Sequence, residues 1–179
     1  MLELLKQRRS IRKFKDQDIE PEKITQLVKG ALLSPSSRSL TPWEFIVVTD
    51  KQTLQQLASA KSAGSAFLKG APLAIVVLAD PLVSDVWIED ASIATILMQM
   101  VAESIGLGSC WVQIRERKHS EGICSEEYVR QVLNIPEHLK VEAILGVGYP
   151  DETKAPQREE NLKYHKVFLN GYQVPYDAS

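Results

Sequence analysis

The sequence predicts an α+β protein with a central sheet. Three observations predict it: apolar runs of strand composition at 43–49, 73–79, 109–114 and 141–147; helical spacing of apolar residues at 24–32 and 84–105; and Pro, Gly and Asp placed between these runs. Of the 179 residues, 44% are hydrophobic and 25% charged, the make-up of a globular chain. A chain of this length hides roughly 70% of the surface its unfolded form exposes, so a core and a buried site fit in one domain, 1–179, without disulfide or metal support.

A short helix ahead of Arg8 leads into basic residues. Pro21 suits the first turn of a helix, and Ile24, Leu27, Val28, Ala31 and Leu32 recur at helical spacing until Ser34-Pro35. A serine-rich loop follows. The run W-E-F-I-V-V-T has strand composition and ends at Asp50, which can cap the helix K-Q-T-L-Q-Q-L-A. A second strand runs from Leu73 to Ala79. From 84 to 105, Ile88, Ala91, Ile93, Leu97, Met98, Val101 and Ile105 spread apolar character around a long helix, which therefore wants burial on more than one side. Gly106 and Gly108 end it; S-C-W-V-Q-I reads as a strand, S-E-E-Y-V-R-Q-V-L as a helix and V-E-A-I-L-G-V as a last strand. Beyond Tyr149-Pro150 the chain turns polar and then carries scattered large apolar residues. Such a tail has no core of its own and should lie across another surface.

Lys plus Arg number 21 and Asp plus Glu 23, a net charge of −2, so no global attraction to nucleic acid or an anionic membrane is expected and any anion site must be local. The two cysteines, Cys110 and Cys124, have neither zinc nor disulfide-framework spacing, which suits a reducing cytoplasm. The opening M-L-E-L-L-K-Q-R-R-S lacks the apolar stretch of a signal peptide, and the run A-P-L-A-I-V-V-L-A falls short of the ~20 residues a spanning helix needs. His119, His138 and His165 show no ligand spacing and no serine sits in a nucleophile elbow. Metal and hydrolytic chemistry are unsupported, which points to a cofactor that brings its own reactivity.

Three clusters could hold one. In R-R-S-I-R-K, the side chains of Arg8, Arg9, Arg12 and Lys13 suit a phosphate and Ser10 adds a hydroxyl, yet basic residues after a helix equally favour its C-terminal dipole. In S-P-S-S-R-S-L-T-P-W, hydroxyls gather where a helix yields to a strand, suited to a polyol or ring edge and equally to an ordinary loop. In G-L-G-S-C-W the order is helix then strand, the reverse of a dinucleotide fingerprint, so these glycines read as a helix end and a tight turn into the strand.

Taken in order, R-R-S-I-R-K-F, S-P-S-S-R-S-L-T-P-W-E-F-I-V-V, the long helix into G-L-G-S-C-W, and G-V-G-Y-P resemble the nitroreductase family of FMN-dependent oxidoreductases over nearly the whole chain. The resemblance implies a nitroreductase-like fold: a mostly antiparallel sheet flanked by helices, a long central helix at a homodimer interface with two FMN molecules, and an extended C-terminal arm. It implies that Arg8, Arg9, Ser10 and Arg12 contact FMN, Arg8 toward the phosphate and Arg12 toward the ribityl and pyrimidine edge. Ser36, Ser37, Arg38 and Ser39 match the loop supplied by the other subunit, although Ser39 and Thr41 stand where the family often has Asn and Gln. Trp111, Val112 and Gln113 match the strand whose backbone lies against the ring, and Lys154 and Arg158 match late basic residues near the phosphate. The implied activity is ping-pong transfer of hydride from NADH or NADPH through flavin to a nitroaromatic, quinone or related small acceptor, with no catalytic side chain and no metal. The alternatives within that resemblance are reductive dehalogenation or flavin fragmentation on the same fold, and a flavin-binding protein without catalysis.

Overall fold

The computed structural model describes residues 1–176; the last three residues of the expected domain lie outside the described residues. In chain order the elements are α1 (Leu2–Gln7), α2 (Pro21–Leu32), β1 (Trp43–Val48), α3 (Lys51–Ala58), β2 (Leu73–Ala79), α4 (Trp87–Ser104), β3 (Gly108–Gln113), β4 (Lys118–Ser120), β5 (Ile123–Cys124), α5 (Ser125–Leu133) and β6 (Lys140–Gly148). Four strands form one antiparallel sheet in the order β1-β2-β6-β3, and β4 with β5 make a small hairpin apart from it. The fold is thus the predicted α+β arrangement with an antiparallel sheet.

Helices cover both faces. On one, Leu27 and Ala31 of α2 and Ala91, Met98 and Ala102 of α4 pack on Leu73, Ile75, Val77, Leu145 and Val147. On the other, Leu54 and Leu57 of α3 and Val129 of α5 pack on Ala74, Val76, Leu78, Val112 and Ile144. Odd and even positions of β2 therefore feed different cores, which is why its seven residues are all apolar and all buried. Pro21 opens α2, and the Asp50 side chain accepts the Thr53 N–H at 2.8 Å to cap α3, as their sequence positions predict.

The structure departs from the sequence reading at three places. α4 starts at Trp87 and not at 84, because Ser84 turns back and donates to Asp90 Oδ2 at 3.1 Å. The hairpin of β4 and β5 is too short to show alternation in the sequence. The tail beyond Pro150 runs back along residues 6–13 of its own chain, through Asp151 N–H to Lys13 O at 2.9 Å, Gln157 N–H to Lys6 O at 2.9 Å and the Lys6–Glu159 ion pair at 2.8 Å. From Leu162 to Tyr176 eight large apolar side chains stay exposed. α4 is buried on more than one side, against the sheet and against α2, where a Cβ on Gly30 would come within 2.7 Å of Val101, and it still leaves Ile93 and Ile96 open, each 39% exposed.

Candidate functional site

The basic segment is held as an extended strip along the sheet end. Ile11 N–H donates to Ser109 O at 3.0 Å, Lys15 N–H to Tyr149 O at 2.9 Å, and Asp151 N–H to Lys13 O at 2.9 Å, so the strip lies between the start of β3 and the chain leaving β6. Two glycines allow this approach. A Cβ on Gly108 would come within 2.8 Å of the Ile11 side chain, and one on Gly148 within 2.8 Å of the Phe14 ring. The G-L-G and G-V-G-Y motifs are thus close-packing points for the basic strip.

Around that strip the predicted residues converge. Lys154 Nζ donates to Ser10 O, Ser10 is bridged to Ser109 next to the buried Cys110, and Arg12, Lys154 and Arg8 act electrostatically on the Cys110 thiol. Burial dominates at Cys110 and pushes its thiol up, so it stays neutral and is no nucleophile. Arg9 turns the other way to donate to Ala155 O, and with Ile11, Glu103, Gly106, Gly108, Glu152 and Lys154 it lines a cavity of about 240 Å³. Burial raises the carboxyl of Glu103 there, against the pull of Arg8.

β3 is an edge strand, paired with β6 on one side and with Ser10 alone, at Ser109, on the other. Since Ser109 O faces the basic strip, the alternation of an antiparallel ladder directs the backbone N–H and C=O of Trp111 to the same open edge. The Val112 side chain is buried in the core and its backbone N–H and C=O turn toward β6, whereas the backbone groups of Gln113 share the open edge with those of Trp111, and both these side chains are half-buried.

The loop 36–41 is anchored elsewhere. Ser37 N–H donates to Asp90 Oδ1 at 2.8 Å, Thr41 N–H to Ser36 Oγ at 2.8 Å, and Arg38 pairs with Asp85. Arg38, Ser39 and Thr41 have φ of 52°, 56° and 46°, left-handed conformations that non-glycine residues rarely adopt. No hydrogen bond or ion pair joins this loop to the strip at Arg8 among the described residues. Arg158 is also apart: it pairs with Glu160 at 3.1 Å on the exposed tail.

Sequence reasoning missed Glu152, whose Oε1 accepts the backbone N–H groups of Arg12 and Lys13 and lies 3.5 Å from Lys154. Those bonds, that of Arg12 foremost, hold its carboxyl below the usual carboxylate range. It missed Asp90 as well, whose place in a helical first turn signals only a favourable dipole. Among the described residues no cluster of His, Cys, Asp and Glu could hold a metal, and no helix is long and apolar enough to cross a membrane.

Residues 5–149 match the family described as "Nitroreductase family". An FMN-dependent nitroreductase from Clostridium difficile superposes with a TM-score of 0.95 at 48% identity, covering 96% of this chain and all of that one. A protein of Archaeoglobus fulgidus, provisionally named an NADH dehydrogenase/NAD(P)H nitroreductase, is 36% identical over 157 residues, 86% of this chain and 87% of its own. An FMN reductase (NADPH) of Bacillus subtilis is 30% identical over 200 residues, 98% of this chain and 76% of its own.

Proposed function

The chain belongs to the nitroreductase family, and from that premise we propose that it is an FMN-dependent oxidoreductase passing electrons from NADH or NADPH to a nitroaromatic, quinone or related small acceptor. The observation that carries this reading is the docking of the strip that bears Arg8 and Arg12 against the start of β3, with Ser10 bridged to Ser109 and Lys154 donating to Ser10 O beside the open edge of β3. Cations, a hydroxyl and free backbone groups at one edge fit an anionic phosphate joined to a planar, hydrogen-bonding ring. FMN, when bound, accepts hydride from the nicotinamide and gives up electrons to the acceptor in a separate half-reaction, the ping-pong order.

The chain's own residues bind and orient. Arg8 and Lys154 would hold the phosphate and Ser10 the ribityl chain, while Arg9 and Arg158 would add to the phosphate site on leaving Ala155 O and Glu160, their partners within the single chain. Arg12 would offset negative charge at the pyrimidine edge. The Trp111, Val112 and Gln113 backbone would carry the ring. With the Cys110 thiol neutral, the site has no protein nucleophile there, and the reaction requires none.

The 240 Å³ cavity is below the roughly 300–1,000 Å³ of a complete ligand pocket, which supports a site finished by a second chain. We assign Ser36, Ser37, Arg38 and Ser39 to that contribution. Ile93 and Ile96 of α4 are the matching contact, and the apolar tail is the arm that crosses to the partner. The working unit is therefore a homodimer of single-domain chains spanning 1–179, placed in the cytoplasm. The absorption spectrum of the purified protein tests the first step. The expected result is a yellow protein that releases FMN on denaturation, bleaches with NADH or NADPH and recovers on adding a quinone. A colourless protein that takes up no FMN overturns the reading.

A further inference from the structure

The strand edge assigned to the flavin carries a buried polar network. Between β2 and β6 the register slips: Val77 pairs with Ala143 and Leu78 with Val141, leaving Glu142 as the extra residue of a β-bulge. A bulge removes one residue from the ladder and re-aims its side chain. Glu142 is 3% exposed, its carbonyl accepts the N–H groups of Ile114 and Arg115 at 3.1 Å each, and its Oε2 is buried with no hydrogen-bond partner. Buried carboxylate oxygens are seldom left so.

Its other oxygen, Oε1, accepts from Gln113 Nε2 at 3.5 Å, and the same amide donates to Arg115 O at 3.2 Å. Gln113 Oε1 accepts the Trp111 indole N–H at 2.9 Å. The amide can face only one way, because turned over its oxygen would meet two acceptors and its NH₂ would meet a donor.

We propose that Glu142 is a positioning residue, bulged out of β6 so that it orients the Gln113 amide and, through it, the Trp111 indole on the strand that receives the flavin. The proposal rests on the flavin reading above. The charged groups facing Glu142 are Arg115 and Glu116 from the loop after β3 and Glu126 from α5, the last lying 3.7 Å from Lys140. Burial is the main force on its carboxyl and raises it, with Gln113 and Arg115 opposing.

The test is the ¹⁵N–¹H indole resonance of Trp111 in the full chain, identified with Trp111→Phe and recorded with and without FMN. Glu142→Leu should displace that resonance in both states and weaken FMN binding about fivefold, the effect of one hydrogen bond. Glu142→Gln, which keeps an acceptor oxygen, should restore both. Gln113→Leu, a half-buried change, should displace the resonance in the same way and serves if Glu142→Leu fails to fold. An unmoved resonance in the leucine variants, or a glutamine variant as impaired as Glu142→Leu, overturns the proposal. A wild-type chain that binds no FMN overturns the flavin reading instead, and the resonance without FMN still decides the network.

Discussion

Asp90 accepts the backbone N–H of Ser37 at 2.8 Å, although 53 residues separate them. Its second oxygen accepts from Ser84 at 3.1 Å, so one buried carboxylate ties the loop 36–41 to the start of α4. The loop needs the tie, because three of its residues hold left-handed backbone that costs on the order of 1–3 kcal/mol apiece.

Asp90→Ala should therefore lower stability by about 2 kcal/mol, the worth of hydrogen bonds to a charged group, and free the backbone of Arg38, Ser39 and Thr41. Urea unfolding measures the first effect and amide exchange in the loop the second. Asp90→Asn, which keeps an acceptor for Ser37, should recover most of the loss.

Arg8→Ala and Arg12→Ala should each weaken FMN binding by roughly ten- to a hundredfold, since charge-assisted hydrogen bonds contribute about 1.5–3 kcal/mol. Calorimetric titration of FMN into the stripped protein checks this. Equal affinity in both variants would return these arginines to the surface-charge reading.

Ile96→Glu discriminates the dimer from a monomer. The side chain is already 39% exposed in a single chain, and a charge at an exposed position ordinarily shifts stability by no more than about 0.5 kcal/mol. At an apolar interface the same charge must be desolvated without a partner. Sedimentation should show a wild-type dimer and an Ile96→Glu monomer that loses flavin.

Glu152 sets an acid limit on the basic strip. Its folded carboxyl titrates below its ordinary value of 4.5 because it accepts the N–H groups of Arg12 and Lys13. A lowered carboxylate binds fewer protons folded than unfolded, so its contribution is present above pH 4.5 and is lost as the pH falls through the folded value. FMN should dissociate in that acid range, and Glu152→Gln should weaken binding at neutral pH while flattening the acid limb. A pH titration of flavin fluorescence on both proteins measures this.

Much of the fold was readable because its signals are local. Pro21 at a first turn, Asp50 three residues before Thr53, and the unbroken apolar run of β2 each state their element within a few residues. The basic strip, the serine loop and β3 were readable as a set, through motif order. Glu152, Asp90 and Glu142 were not, because what they do depends on partners far away in sequence: 140 residues for Glu152 with Arg12, 53 for Asp90 with Ser37, and a one-residue slip of register at Glu142. An acid looks the same in sequence whether it faces water or closes a network.

Between Leu162 and Tyr176 the chain bonds mainly to itself, with Leu169 N–H on Val174 O at 2.9 Å and the Phe168 and Tyr172 rings edge-on at 5.0 Å. In the proposed dimer this stretch is a ligand that each molecule carries on its own tether. If that dimer forms, the order of the stretch follows protein concentration, so on dilution it should become the first protease-sensitive region while the sheet stays intact. Cellular abundance would then regulate how much of the protein is complete, with no effector required.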